Sequence, residues 1–120
     1  MTNLIAMLTT DNGAWSHVSK LIESAMFENT FLIATAASKK RFDAPQGSKV
    51  EFIVIDPLKP VDETITIISN ALKKNIGFEE VALNFASGNG KEHMALLSAV
   101  MKTGVGFRLV AATKEGVKEI

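Results

Sequence analysis

At 120 residues, 47% of them hydrophobic, the chain has the size of one folded domain (residues 1–120) and is too apolar to be disordered. It has no cysteine, which removes disulfides, thiolate metal ligands and a cysteine nucleophile. Thirteen basic residues balance thirteen acidic ones, whereas a protein that coats duplex DNA carries a basic excess, so duplex binding is not expected.

In chain order, Asn3–Leu8 is a short apolar run that stops in the turn residues Thr9, Thr10, Asp11, Asn12 and Gly13, as a buried strand does. No Lys or Arg precedes the Leu4–Leu8 stretch and Asp11 follows closely, unlike a signal peptide. No apolar run approaches the roughly 18 residues of a membrane span. The expectation is a soluble, cytoplasmic protein without a membrane segment.

Asp11 or Asn12 is placed to cap a helix over about Ala14–Met26, with Val18, Leu21, Ile22 and Ala25 at helical spacing. Thr30–Ala36 reads as a second strand. Residues 38–48 are polar, contain Pro45 and Gly47, and read as loop. Val50–Ile55 is a third strand whose unbroken Phe52-Ile53-Val54-Ile55 run predicts burial on both faces. Pro57 and Pro60 forbid regular helix before a helix from Asp62 to about Lys74, with stripe Val61, Ile65, Ile68 and Leu72 and Gly77 as its stop. A fourth strand, Val81–Ala86, runs into Ser87-Gly88-Asn89-Gly90-Lys91. A helix follows from Gly90 to Lys102, with Met94, Leu97 and Met101 expected to face the core. A fifth strand, Phe107–Ala112, completes the pattern.

Strands of about six residues alternating with helices define βαβ units, hence an α/β, Rossmann-like, mainly parallel five-stranded sheet with helices on both faces. The exception lies between the second and third strands. Eleven residues there leave either a degenerate crossover or an antiparallel strand.

In such sheets the functional crevice lies beyond the C-terminal strand ends. Thr9, Thr10, Asp11 and Asn12, then Ser38 and Lys39 with Lys40 and Arg41, then Asp56, then Ser87, Gly88, Asn89, Gly90 and Lys91 therefore collect at one rim. Glycines, a hydroxyl and a lysine at a helix start suit an anion, usually phosphate. The same residues are also those of plain turns, helix caps and solvated surface. Lys91 is followed by Glu92, and a third glycine is missing, so neither a Walker A loop nor a dinucleotide fingerprint is present. His93 suits a general base or a phosphate donor, and equally a helix-capping or half-exposed histidine. His17 is expected at the surface, and two distant histidines give no metal set. Trp15 suits base stacking, a lid on the core or a subunit contact. Asn84 reads as a satisfied buried amide bracing the neighbouring loop.

The run Val81-Ala82-Leu83-Asn84-Phe85-Ala86-Ser87-Gly88-Asn89-Gly90-Lys91-Glu92-His93-Met94-Ala95-Leu96 resembles the signature of CARF domains (CRISPR-associated Rossmann fold), as do the first strand ending in Thr9-Thr10 and the Phe52–Leu58 segment. The resemblance implies a homodimer that binds a cyclic oligoadenylate, an antiviral-defence messenger, over its two-fold axis. Ser87, Gly88, Asn89, Gly90 and Lys91 would contact phosphate and ribose, and Thr9 and Thr10 would line the floor. Some members cleave the ring without metal or cofactor by ribose 2′-hydroxyl attack; Lys91 with Thr10 or Ser87 would then stabilise charge. Asn89-Gly90 stands where that family often has Gly-Thr, and no winged helix or HEPN-type motif follows. The implied protein is a stand-alone ring nuclease, a sponge for the messenger, or a sensor whose effector is a separate chain. An interaction or scaffold module, and a small-molecule enzyme using His93, are the alternatives from the residues themselves.

Overall fold

The computed structural model describes residues 2–11 and 13–120, so the roles expected of Asn12, as helix cap and ligand contact, lie outside the described residues. The elements are β1 (Thr2–Leu8), α1 (Ala14–Glu23), β2 (Phe27–Ala34), α2 (Ala36–Arg41), β3 (Val50–Val54), α3 (Val61–Asn75), β4 (Val81–Asn84), α4 (Gly90–Thr103), β5 (Phe107–Thr113) and β6 (Gly116–Glu119). They build one sheet of order β3-β2-β1-β4-β5-β6, parallel throughout except for the final β5–β6 pair.

β1 holds the centre because its chain can fill both faces at once. Leu4, Ile5, Ala6, Met7 and Leu8 are all fully buried. Side chains alternate across a strand, so Ile5 and Met7 enter a core with Ile33, Ile53 and Leu83 beneath α3 and α4. Leu4, Ala6 and Leu8 enter a second core with Leu32, Val18, Leu21 and Phe42 beneath α1 and α2. At about 1.5–3 kcal/mol for each fully buried large side chain, β1 anchors both layers.

Four sequence expectations are corrected. The sheet has six strands, because Thr113-Lys114-Glu115-Gly116 turns the chain back and β6 pairs antiparallel on β5. The 38–48 segment is not all loop. α2 occupies 36–41, and its single crossover suffices for β2 and β3 to run parallel from Thr30↔Val50. β3 is the sheet's edge strand rather than a doubly buried one: Glu51 and Val54 face solvent, Val54 with 42% of its surface exposed. Asp11 does not cap α1; Gly13 holds the cap position in a left-handed turn, and the Asp11 carboxylate only accepts the Gly13 amide at 3.3 Å.

Among the described residues no helix is long and apolar enough to cross a membrane.

Candidate functional site

The strand order reverses between β1 and β4, which are parallel neighbours in register Asn3↔Val81 to Ala6↔Asn84. β2 lies to one side of that pair and β5 to the other, so the loops after β1 and β4 open a crevice between them at the switch point.

Ser87 stitches the two loops together. Its hydroxyl oxygen accepts the Thr9 and Thr10 amides at 2.9 and 3.0 Å and donates to the Thr10 carbonyl at 2.6 Å. The residue is fully buried, so this hydroxyl is spent on holding the loops and is not offered to the crevice. The Gly88 amide donates to Thr10 Oγ1 at 2.9 Å, which leaves the Thr10 hydroxyl proton free to donate. Gly88 is left-handed at φ 97°, and a Cβ there would stand 2.9 Å from Glu92 Oε1 and 3.2 Å from Thr9 Oγ1. Only glycine fits.

α4 opens with a reciprocal cap. Asn89 Oδ1 accepts the Glu92 amide at 2.9 Å, and Glu92 Oε1 accepts the Asn89 amide at 3.1 Å. The same Glu92 oxygen accepts the Thr9 hydroxyl at 2.6 Å. Glu92 is 6% exposed and belongs to the site, although it is not among the site residues expected from the sequence. The signal was present: Asn89-x-x-Glu92 before an apolar helical run is a capping-box pattern. Once the cap is satisfied, the Gly90 and Lys91 amides are the first-turn donors left over.

Lys91 does not reach into this crevice. Its ammonium donates to the carbonyls of Lys59 and, at 3.3 Å, Pro57, closing the β3–α3 loop against α4. Convergence of that ammonium with the threonines, the arrangement expected from the sequence, is replaced by a side chain laid along the rim. Ser38 is likewise turned inward. It forms a reciprocal cap with Thr35 at the start of α2, accepting the Thr35 amide at 2.9 Å, and is 3% exposed. Lys39 extends over the Phe52 ring, 5.7 Å from its centroid. Asp11 is exposed beside the crevice.

The two histidines have opposite roles. His93 Nε2 lies 2.7 Å from the Ser87 carbonyl and so donates its proton there, with the ring 5.2 Å from that of Phe85. His17 Nε2 instead accepts, from the Ala112 amide at 3.1 Å and Asn84 Nδ2 at 3.0 Å. His17 is therefore half-buried rather than at the surface, and burial, then the nearby Lys20 charge, holds its pKa below the usual histidine value. Asn84 is the satisfied buried amide expected: it donates to the Val110 carbonyl at 2.9 Å and accepts the Ala86 amide at 3.1 Å. Trp15 packs into the α1-side core, edge-on to Phe42 at 6.0 Å, and covers its end.

Two apolar surfaces are exposed. At the ends of β2 and β3 a groove of about 560 Å³ is lined by Ala36, Ala37, Val54, Pro57 and Ile67. On α4, Met94 and Met101 are each 61% exposed and Leu97 is half-buried between them. The two methionines of the expected core stripe thus face outward, Leu97 packs partly on the core, and Ala95, Leu96, Ala99 and Val100 fill it.

No family model matches the chain, and no curated protein matches its sequence. The class is defined by the fold and crevice themselves. It is an α/β domain with a six-stranded, mostly parallel sheet, whose switch-point crevice is built from the β1 and β4 loops.

Proposed function

We propose that this is a Rossmann-like domain that binds an anionic nucleotide ligand at the β1–β4 switch point, as a homodimer. A cyclic oligoadenylate is the ligand that the resemblance to CARF domains nominates. The observation that carries the reading is the Ser87 clamp, which brings the Thr10 hydroxyl and the free first-turn amides of α4 to one crevice. Thr10 Oγ, the Gly90 and Lys91 amides and the Asn89 side-chain amide are the donors for phosphate and ribose. The apolar groove at the β2–β3 ends supplies walls for a base, and the chain's charge balance argues against duplex nucleic acid.

Met94, Leu97 and Met101 repeat with the 3-4 spacing of a helix seam, and Gly90 continues that line toward the crevice. Among the described residues nothing stands within 4 Å of a Cβ built on Gly90, so none of them requires glycine there. Pairing of two α4 helices in parallel about a two-fold would set two crevices side by side and double a shallow site.

Binding without turnover fits better than rapid ring cleavage. Metal-free 2′-hydroxyl attack would need Lys91 to leave two carbonyls, and Ser87 and Thr9 have already committed their hydroxyl protons. Slow turnover after a shift of Lys91 is the form of degradation compatible with this geometry. Incubation with cyclic tetra- and hexa-adenylate, followed by chromatography and a binding titration, tests both halves. Binding of neither ring ends the reading, and binding without products leaves the sensor.

A scaffold module is the second reading. It is favoured by the extent to which the loop's polar groups satisfy each other, through Ser87, Glu92 and Asn89. It predicts that dimerisation persists with no nucleotide affinity.

A further inference from the structure

We infer that His17 is a pH-sensitive clasp that sets the position of the β4–α4 loop and of the C-terminal hairpin together. The geometry fixes the chemistry at its Nε2. Asn84 must point its Nδ2 at the Val110 carbonyl, 2.9 Å away, because its Oδ1 is needed by the Ala86 amide at 3.1 Å. Its second amide proton then falls on His17 Nε2 at 3.0 Å. The Ala112 amide aims a further proton at the same nitrogen, 3.1 Å away. Two donors converge on one atom, so that atom is a bare acceptor and the ring proton sits on Nδ1.

Protonating Nε2 places a third proton where two already point. The ring must swing out, or Asn84 and Ala112 must retreat. Asn84 cannot move alone, since it holds the amide of Ala86, next to Ser87, whose hydroxyl pins Thr9 and Thr10. Ala112 lies in β5 opposite Val117 of β6, so the hairpin is engaged at the same time. The clasp therefore joins α1, β4, β5 and the crevice loop through one titratable nitrogen.

The charged group facing His17 from its own helix is Lys20. From β4 and β5 it meets the neutral Asn84 side chain, the Val110 carbonyl and the Ala112 amide. Glu119 of β6, opposite Val110, shares their face of the sheet and is exposed. Burial and Lys20 both oppose the charged ring, so the clasp is closed in neutral solution and opens on acidification. His93 has no such acceptor role, because its Nε2 faces the Ser87 carbonyl and donates to it.

The test is a ¹⁵N–¹H correlation titration of the whole chain from neutral to mildly acidic pH, with no ligand required. The Ala112, Ala86 and Ser87 amides should move with one midpoint, that of the His17 ring carbons, and should stay still in His17→Gln, whose side-chain oxygen accepts without titrating. Motion of Ala112 alone, with Ala86 and Ser87 unmoved as His17 titrates, overturns the coupling. So does persistence of the loop shifts in the variant. Should His17→Gln fail to fold, ring ¹³C shifts of the wild type decide: the Nδ1–H tautomer at neutral pH is required, and the Nε2–H tautomer contradicts the clasp.

Discussion

The Ser87 hydroxyl oxygen lies 2.9 Å from the Thr9 amide nitrogen, across 78 positions of sequence. That bond joins the ends of the two central strands and gives the crevice a floor. Its removal is the first expectation. Ser87→Ala leaves two loop amides and a carbonyl without their partner, which should cost about 2–3 kcal/mol. For a chain of this length the melting temperature should fall by roughly 10 °C, read by circular dichroism. An unchanged melting temperature would show that the loops hold by other means.

Glu92 has two duties that substitution can separate. Glu92→Gln keeps an oxygen for Thr9 and the Asn89 amide, so chemical denaturation should show a loss within about 1 kcal/mol. Glu92→Ala removes both bonds and half of the reciprocal cap and should cost about 2 kcal/mol. Equal stability of the two variants would mean that the buried carboxylate contributes nothing through hydrogen bonding.

The loop glycines should differ. Gly88→Ala forces a side chain into a left-handed residue and to within 2.9 Å of Glu92 Oε1, and should cost about 2 kcal/mol or more. Gly90→Ala sits in open helix and should be neutral or stabilising by up to about 1 kcal/mol, while weakening whatever approaches the crevice. Denaturant midpoints of the pair give the comparison directly.

Outward methionines make the oligomer testable. Wild type should scatter light as twice 12.9 kDa, and Met94→Glu with Met101→Glu should reduce it to the single mass without unfolding, since both side chains are exposed. A wild-type monomer at all concentrations would remove the dimer from the proposal.

His17 also sets an acid limit on stability. Its folded pKa lies below the ordinary value of about 6.5, so the unfolded chain takes up the proton first as pH falls. The histidine's contribution is present above the unfolded value, and is lost as pH falls from there toward the folded one. Wild-type stability should decline over that window, and His17→Gln should decline less. Parallel curves would contradict it.

Much of this architecture could be read from spacing. β1, α3, β4 and the Ser87–Lys91 loop follow from apolar runs and their stops, and the crevice follows from where those runs end. What escaped depends on distant partners. Met94, Leu97 and Met101 have helical period, but so do Ala95, Leu96, Ala99 and Val100, and only packing on β1 and β4 decides which set is buried. Val50–Ile55 is apolar enough for a central strand, yet its edge position is fixed by β1 occupying the centre. Lys91 follows the glycines as a phosphate lysine would, but the β3–α3 loop carbonyls hold its ammonium. Ser38 follows a strand in the sequence pattern as a rim group would, but its hydroxyl is held by Thr35, whose apolar neighbours give it the pattern of strand rather than helix cap.

Calorimetric titration of cyclic tetra- and hexa-adenylate into the wild type and Thr10→Val asks whether the β1–β4 crevice holds a nucleotide ring. One of the rings should bind, with one ring per two chains, and loss of the Thr10 hydroxyl should weaken it about tenfold, or about 1.4 kcal/mol. Absence of binding heat for either ring across several temperatures would contradict it.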